Sequence, residues 1–200
     1  MSAQPNIGMQ VTTFENPQGV DGFEFVEFAA PDPALLHELF PKLGFVKVAV
    51  HKRKRISLYR QGDCNFLVNE EPGSAAAAFA AKHGPSACGF AIRFSRPAAQ
   101  VLETALGNGA TRFAGEGMAL EVPAIEGIGG AALYLVDRYG EAGEAYDFDY
   151  AWLPGVERRP RGFGLTFIDH LTHNLYFGHM EQWSDYYERL FNFREIRYFD

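Results

Sequence analysis

The sequence predicts an α+β fold: tandem β-α-β-β-β units that pair into one barrel-like domain, followed by an incomplete second domain of the same kind. Three observations carry this expectation. A strand-then-helix opening recurs near Gly22, Gly89 and Gly164, which points to internal duplication. Short alternating segments bounded by Gly, Asn and Asp follow the first two openings. A single unit leaves an unpaired sheet edge and a half-covered face, so units must pair to enclose a core.

Residues 1–20 are polar, carry Pro5 and Pro17, lack periodicity and read as an N-terminal arm. Residues 22–28 (GFEFVEF) alternate as a strand, and Asp32 before Pro33 suits a helix cap with proline at the first helical position. Leu35, Leu36, Leu39 and Phe40 then repeat at helical spacing, and Gly44 supplies the residue that accepts a left-handed cap. Residues 45–50, 56–60 and 65–69 read as strands, with a turn at Gln61-Gly62-Asp63. In the second unit, residues 89–94 form a strand, Ser95 caps a helix over 97–106, and Gly107-Asn108-Gly109 closes it. Strands near Thr111 and over 131–137 complete that unit, the last entered through a tight turn at 127–130. The first domain therefore spans 21–155, with units near 22–80 and 86–150, and the Gly- and Arg-rich stretch 156–163 is a connector. A third strand over 164–171 and a helix bearing Met180, Trp183, Tyr187 and Leu190, capped by Asn192, begin a second domain over 164–200. Its remaining strands are expected beyond Asp200, which would leave the Trp183 and Phe191 face without a partner.

Eighteen basic against 25 acidic side chains give a net charge of −7, and that field repels phosphate backbones and acidic membrane surfaces. No nucleic acid and no membrane is expected as a partner. The apolar run 75–81 falls far short of the ~18 residues needed to span a bilayer, and no secretory signal opens the chain. A cytoplasmic protein follows, with Cys64 and Cys88 as buried thiols rather than a disulfide framework. Two Trp, nine Tyr and 18 Phe point to a well-filled core or an aromatic-lined cavity.

Chemistry is harder to place. Residues 165–174 hold His170 and His173, and on a strand their side chains point to opposite faces. Alternation alone leaves open which face is inward. The basic run 51–55 reads as a solvated turn, and Gly127 to Gly130 lack the spacing of a dinucleotide loop. Asp147 and Asp149 share one strand face, most simply an exposed edge. No nucleophile elbow, zincin helix or Cys-x-x-Cys pair occurs. Composition and spacing thus yield a fold and one ambiguous histidine, without a reaction.

Residues 22–28 (GFEFVEF), 58–62 (LYRQG), 83–86 (HGPS), 123–130 (PAIEGIGG), 168–174 (IDHLTHN) and 190–195 (LFNFRE) together resemble the bacterial 4-hydroxyphenylpyruvate dioxygenase family, from about Asn16 to Asp200. The resemblance implies a vicinal-oxygen-chelate fold, an N-terminal domain without metal that serves architecture and assembly, and Fe(II) in the C-terminal domain. The family's first iron ligand, the histidine of an Asp-His pair, falls on His170, which makes that side chain the inward one. Two histidines and a glutamate form the family's facial triad and leave adjacent iron positions for substrate and O2. The implied reaction converts 4-hydroxyphenylpyruvate and O2 to homogentisate and CO2 in tyrosine catabolism, by a homo-oligomeric enzyme. The second histidine and the glutamate belong to sequence past Asp200, and His37, His51, His83 and His179 match neither motif. A 200-residue chain with one ligand is expected to hold no stoichiometric iron and not to turn over. The alternatives are a hydroxymandelate synthase-like enzyme, which oxidises the side chain instead of the ring, and a non-catalytic binding or assembly module of the same fold.

Overall fold

A computed structural model describes residues 14–197. The first unit runs β1 (Val20–Ala29), α1 (Ala34–Lys42), β2 (Val46–His51), β3 (Ile56–Gln61) and β4 (Cys64–Asn69). After α2 (Ala75–His83) the second unit follows as β5 (Ser86–Phe94), α3 (Ala98–Gly107), β6 (Ala124–Glu126) and β7 (Ala132–Val136); β8 (Tyr150–Trp152) and α4 (Met180–Phe191) come last. The eight strands form one sheet in the order β6-β7-β5-β1-β4-β3-β2-β8.

The duplication shows in the pairing. In each unit the first strand lies parallel to the last, β1 beside β4 and β5 beside β7. The strand before the last then adds antiparallel, β3 on β4 and β6 on β7. The units join where β1 runs antiparallel to β5. Even the helix ends repeat: Phe45 N–H donates to the Phe40 carbonyl as Ala110 N–H donates to that of Ala105, and Gly44 and Gly109 carry φ of 89° and 85°. Alternation sends Phe25, Leu58, Leu67 and Tyr134 to one sheet face, lidded by loops carrying Leu120 and Tyr146. Three helices occupy the opposite face, where α3 and α4 cover Val26, Phe90 and Phe94 and α1 covers Phe45 and Val68. The fourth, α2, packs on Ala29 and Cys88 on the loop-covered face, beside Glu27 and Tyr134. Each large side chain taken from water in these layers contributes about 1.5–3 kcal/mol.

Several expectations need correction. One helix was not expected at all: the alanine-rich run 75–81 lies in α2, where Ser74 Oγ accepts from Ala77 N–H at 3.0 Å, and alanine favours a helix without any apolar period to announce it. Ser95 does not cap α3. Ala98 N–H donates to Asp137 Oδ2 at 2.7 Å, a cap supplied from the end of β7, while Ser95 Oγ donates to the Gly19 carbonyl. Near Thr111 there is only an isolated bridge from Arg112 to Ile125. Asp147 and Asp149 lie in a turn and not on a strand; Asp147 Oδ1 accepts from Trp152 Nε1 at 3.1 Å. The basic turn is only partly solvated, since His51 is buried and Lys54 Nζ reaches Glu121 Oε1 at 2.7 Å. Of the expected arm, residues 1–13 lie outside the described residues.

The largest correction concerns residues 164–171, which form no strand. A strand needs a neighbour to satisfy its backbone groups, and this segment finds only the turn after β3: the Thr166 carbonyl accepts from Asp63 N–H at 2.8 Å, and Leu165 N–H donates to the Gln61 side chain at 3.3 Å. The face of α4 also finds a partner: Leu190 and Phe191 are buried, with Phe191 against Phe94 at 5.7 Å between ring centroids.

One turn fixes how this segment meets the first unit. Gly62 has φ 56° and donates its N–H to the Pro160 carbonyl at 2.9 Å, and a Cβ there would press on the Leu165 carbonyl. Gly62→Ala is expected to cost about 1–3 kcal/mol, from the left-handed backbone plus the lost close approach. Urea unfolding measures it, and unchanged stability would show that residues 160–166 are not seated against this turn.

Candidate functional site

Residues 163–173 form a strap across the helix-bearing face of the sheet. Gln61, fully buried at the end of β3, anchors its start: Oε1 accepts from Phe163 N–H at 2.6 Å and Leu165 N–H at 3.3 Å, and Nε2 donates to the Leu43 carbonyl at 3.0 Å. Ile168 then packs against the clusters under both α1 and α3, and Leu171 against the latter. At the far end His173 Nε2 lies 3.1 Å from the Tyr187 hydroxyl, with its ring stacked on that tyrosine and near Phe90. Burial among these rings lowers the His173 pKa below its ordinary value. His173 is thus a packing residue.

Under the strap opens a cleft of about 410 Å³ whose walls include Val26, Phe28, Phe45 and Phe66, with Asp169 and His170 at its border. The walls are mainly apolar, with Cys64 and Thr172 among them, and the ionisable side chains at the border are that Asp-His pair. His170 Nδ1 lies 3.0 Å from Asp169 Oδ2. A carboxylate only accepts, so Nδ1 donates to it, and in the neutral imidazole the Nε2 lone pair is then left for a metal or a donor. Both side chains are more than three-quarters exposed (78% and 76%), so water weakens this orienting contact.

The described residues do not by themselves make an iron site. Among them no three or more His, Cys, Asp or Glu side chains converge. The other histidines have different partners. His37 lies between the Tyr59 hydroxyl and Glu70 Oε2, His51 Nδ1 accepts from the N–H groups of Arg53 and Lys54, His83 packs on Phe79, and His179 meets Gln182. Cys64 and Cys88 are free, and both are buried, as expected. No helix among the described residues is long and apolar enough to cross a membrane.

Sequence reasoning missed a buried polar network under the loops. Glu27 accepts from Asn69 Nδ2 at 2.6 Å and from the Tyr134 hydroxyl at 2.7 Å, and Glu24 pairs with Arg93. Burial raises both carboxyls above their ordinary value, with Arg93 opposing it at Glu24 and the two hydrogen-bond donors opposing it at Glu27. The signal was present: two glutamates inside a strand whose other residues are largely Phe and Val must either face water or find partners.

A family model described as "Hydroxyphenylpyruvate dioxygenase, HPPD, N-terminal" matches residues 14–151. A 4-hydroxyphenylpyruvate dioxygenase of Pseudomonas sp. (strain P.J. 874) is 53% identical over 189 residues, covering 94% of this chain and 53% of that protein. One of Pseudomonas aeruginosa is 47% identical over 190 residues, covering 92% of this chain and 53% of that protein. Among solved structures, a xylose isomerase-like TIM barrel/4-hydroxyphenylpyruvate dioxygenase fusion protein aligns with a TM-score of 0.78 at 32% identity, over 92% of this chain and 30% of that one. The chain spans about half the length of the dioxygenases it matches. Identity at this level, carried across both units, the strap and α4, means that the chain belongs to the hydroxyphenylpyruvate dioxygenase family.

Proposed function

We propose that this chain is the front part of an Fe(II)-dependent 4-hydroxyphenylpyruvate dioxygenase, which converts 4-hydroxyphenylpyruvate and O2 to homogentisate and CO2. The observation that carries the reading is the Asp169-His170 pair: it lies within a 189-residue stretch that is 53% identical to a protein of that name, and its imidazole, with Nδ1 turned to Asp169, borders a mainly apolar cleft. His170 is one of three iron ligands in this reading, and the other two come from outside the described residues. Iron, when bound, supplies the oxidative chemistry on O2. The chain's own residues bind and orient: Gln61 and Tyr187 hold the two ends of the strap, and Asp169 keeps the His170 proton on Nδ1.

The reading divides the chain into an arm over 1–20, a domain over 21–155, a connector over 156–163 and the start of a catalytic domain over 164–200. A single sheet running from Val20 to Trp152 supports the first boundary pair. The reading includes assembly with further copies of the chain, and a cytoplasmic setting, supported by two thiols kept free and buried.

Iron content tests it. The 200-residue chain, equilibrated with Fe(II) and desalted, is expected to retain well under one iron and to form no homogentisate. A chain of the relatives' full length is expected to hold one iron and form homogentisate, and His170→Ala in it to abolish both. One tightly held iron per 200-residue chain, or full iron in the His170→Ala protein, would contradict the ligand assignment. Formation of 4-hydroxymandelate would identify the side-chain-oxidising reaction instead.

A further inference from the structure

Gln61 is a polar side chain shut off from water, at the end of a strand whose other residues are also buried. A buried carboxamide needs partners for both its oxygen and its nitrogen. The bonds it makes all leave the sheet. Oε1 accepts from the N–H groups of Phe163 and Leu165, two residues apart at the start of the strap. Nε2 donates to the carbonyl of Leu43, the residue that ends α1, where a helix leaves its carbonyls unpaired. One side chain thus joins the end of α1, the end of β3 and the segment that carries His170.

The backbone around it is shaped for the same contact. Gly162 passes so close that a Cβ there would press on the Gln61 side chain and the Gly44 carbonyl, and a Cβ on Gly44 would press on the Phe163 ring. Asp63 N–H, from the turn that follows Gln61, then donates to the Thr166 carbonyl. Three residues separate Thr166 from His170, and one of them, Ile168, is set into the apolar clusters under α1 and α3. Chain connectivity makes the consequence definite. If the bonds at Phe163, Leu165 and Thr166 slip by one residue, Asp169 or Leu171 stands where His170 now stands, and the imidazole leaves its place at the border of the cleft. A ligand displaced by that much cannot share a metal with ligands fixed elsewhere.

We propose that Gln61 is a positioning residue for the iron ligand: by fixing the register of the strap at Phe163 and Leu165, it places the His170 imidazole for a metal whose other ligands lie outside the described residues. The inference rests on the dioxygenase reading, and it gives the first unit a part in the metal site.

Two measurements test it. In the 200-residue chain, amide hydrogen exchange at Phe163 and Leu165 is expected to be about tenfold faster or more in Gln61→Met than in wild type, because Met fills the volume and accepts from neither N–H, while the amides of β1 keep their wild-type rates. In a chain of the relatives' full length, Gln61→Met is expected to weaken Fe(II) binding by about tenfold to a hundredfold, read by titration of the metal into the apoprotein. Gln61→Glu keeps an oxygen that accepts from both N–H groups and is expected to retain most of the iron affinity, although it buries a charge, loses the bond to Leu43 and melts at a lower temperature. Tyr134→Phe, in the network on the other face of the sheet, is expected to lower the melting temperature and leave the iron affinity unchanged. A merely structural glutamine would move melting temperature and iron affinity together in all three variants. Wild-type exchange at Phe163 and Leu165 in Gln61→Met would overturn the contact itself. Fast exchange with wild-type iron affinity would overturn the positioning role, as would an affinity in Gln61→Glu as low as in Gln61→Met. A full-length wild type that binds no iron would overturn the dioxygenase reading and the positioning role with it, the exchange rates still deciding whether Gln61 holds the strap.

Discussion

Arg60→Ala is expected to cost about 3–5 kcal/mol of stability, the range found when one member of a buried ion pair is removed. The Arg60 side chain is only 2% exposed. Its guanidinium holds Glu144 through two contacts, 2.7 and 3.2 Å, donates to Asn65 Oδ1 at 2.5 Å and reaches the Arg158 carbonyl at 3.1 Å. It also lies 5.4 Å and 5.3 Å from the ring centres of Tyr146 and Trp152. Truncation would empty that volume and strand the Asn65 acceptor in the core, whereas Glu144 keeps Arg159 Nη2 at 3.0 Å. Arg60→Met fills most of the volume without a charge and is expected to recover at least half the loss. Urea unfolding of the two variants separates packing from charge: equal losses would assign the whole effect to charge and polar contacts, and a loss below about 1 kcal/mol for Arg60→Ala would mean that the network is not closed in solution.

Why this arginine was not visible in the sequence is instructive. It sits in the alternating run Ile56–Gln61, where its position marks a face but says nothing of the partners, and those partners come from the distant residues Glu144 and Arg158. The legible parts of the fold are those whose signals are local. The Phe-rich alternation of β1, the apolar period of α1 and the Gly44 and Asn192 caps all specify structure within a few residues. By contrast, β6 and β8 have three residues each, too few for a period to register, and exist because β7 and β2 offer them a ladder. The cap of α3 is invisible for the same reason, since Asp137 lies 39 residues from the N–H it accepts.

The site divides along that line as well. Identifying His170 depended on an Asp-His pair within a resembling stretch, information carried by residue identity. Placing it depended on a strand, and strand formation needs a second strand that the segment does not find among the described residues. The segment instead lays Ile168 and Leu171 on the sheet and leaves His170 outward. The buried carboxylates are the opposite case. Their sequence signal was local and strong, because Glu24 and Glu27 interrupt a strand that is otherwise mostly apolar, and the network that answers them gives the fold a titratable interior.

That interior should make stability fall as pH rises. Burial raises the Glu27 pKa above its ordinary 4.5, more than the hydrogen bonds from Asn69 and Tyr134 and the Lys54 charge lower it. A carboxyl whose pKa is higher folded than unfolded holds its proton more tightly in the native state. Its contribution is complete below the unfolded value and is lost as pH rises through the folded one. Glu27→Gln removes this titration. Its single carbonyl accepts from only one of the two donors, so the variant is expected to be less stable than wild type where the wild-type carboxyl is protonated, by about 0.5–1.5 kcal/mol. The gap is expected to shrink or reverse as pH rises through the folded-state pKa, above which wild type carries a buried charge and the variant does not. Comparing the two proteins cancels every other titrating group, so the pH dependence of the difference reports Glu27 alone. Tyr134→Phe supplies the complementary sign: it removes a donor that the ionised carboxylate needs more than the neutral one, so its cost, about 1.5–3 kcal/mol, is expected to grow with pH. A gap between wild type and Glu27→Gln that widens as pH rises would mean that the native state favours the ionised carboxylate, and that Asn69, Tyr134 and Lys54 together outweigh its burial.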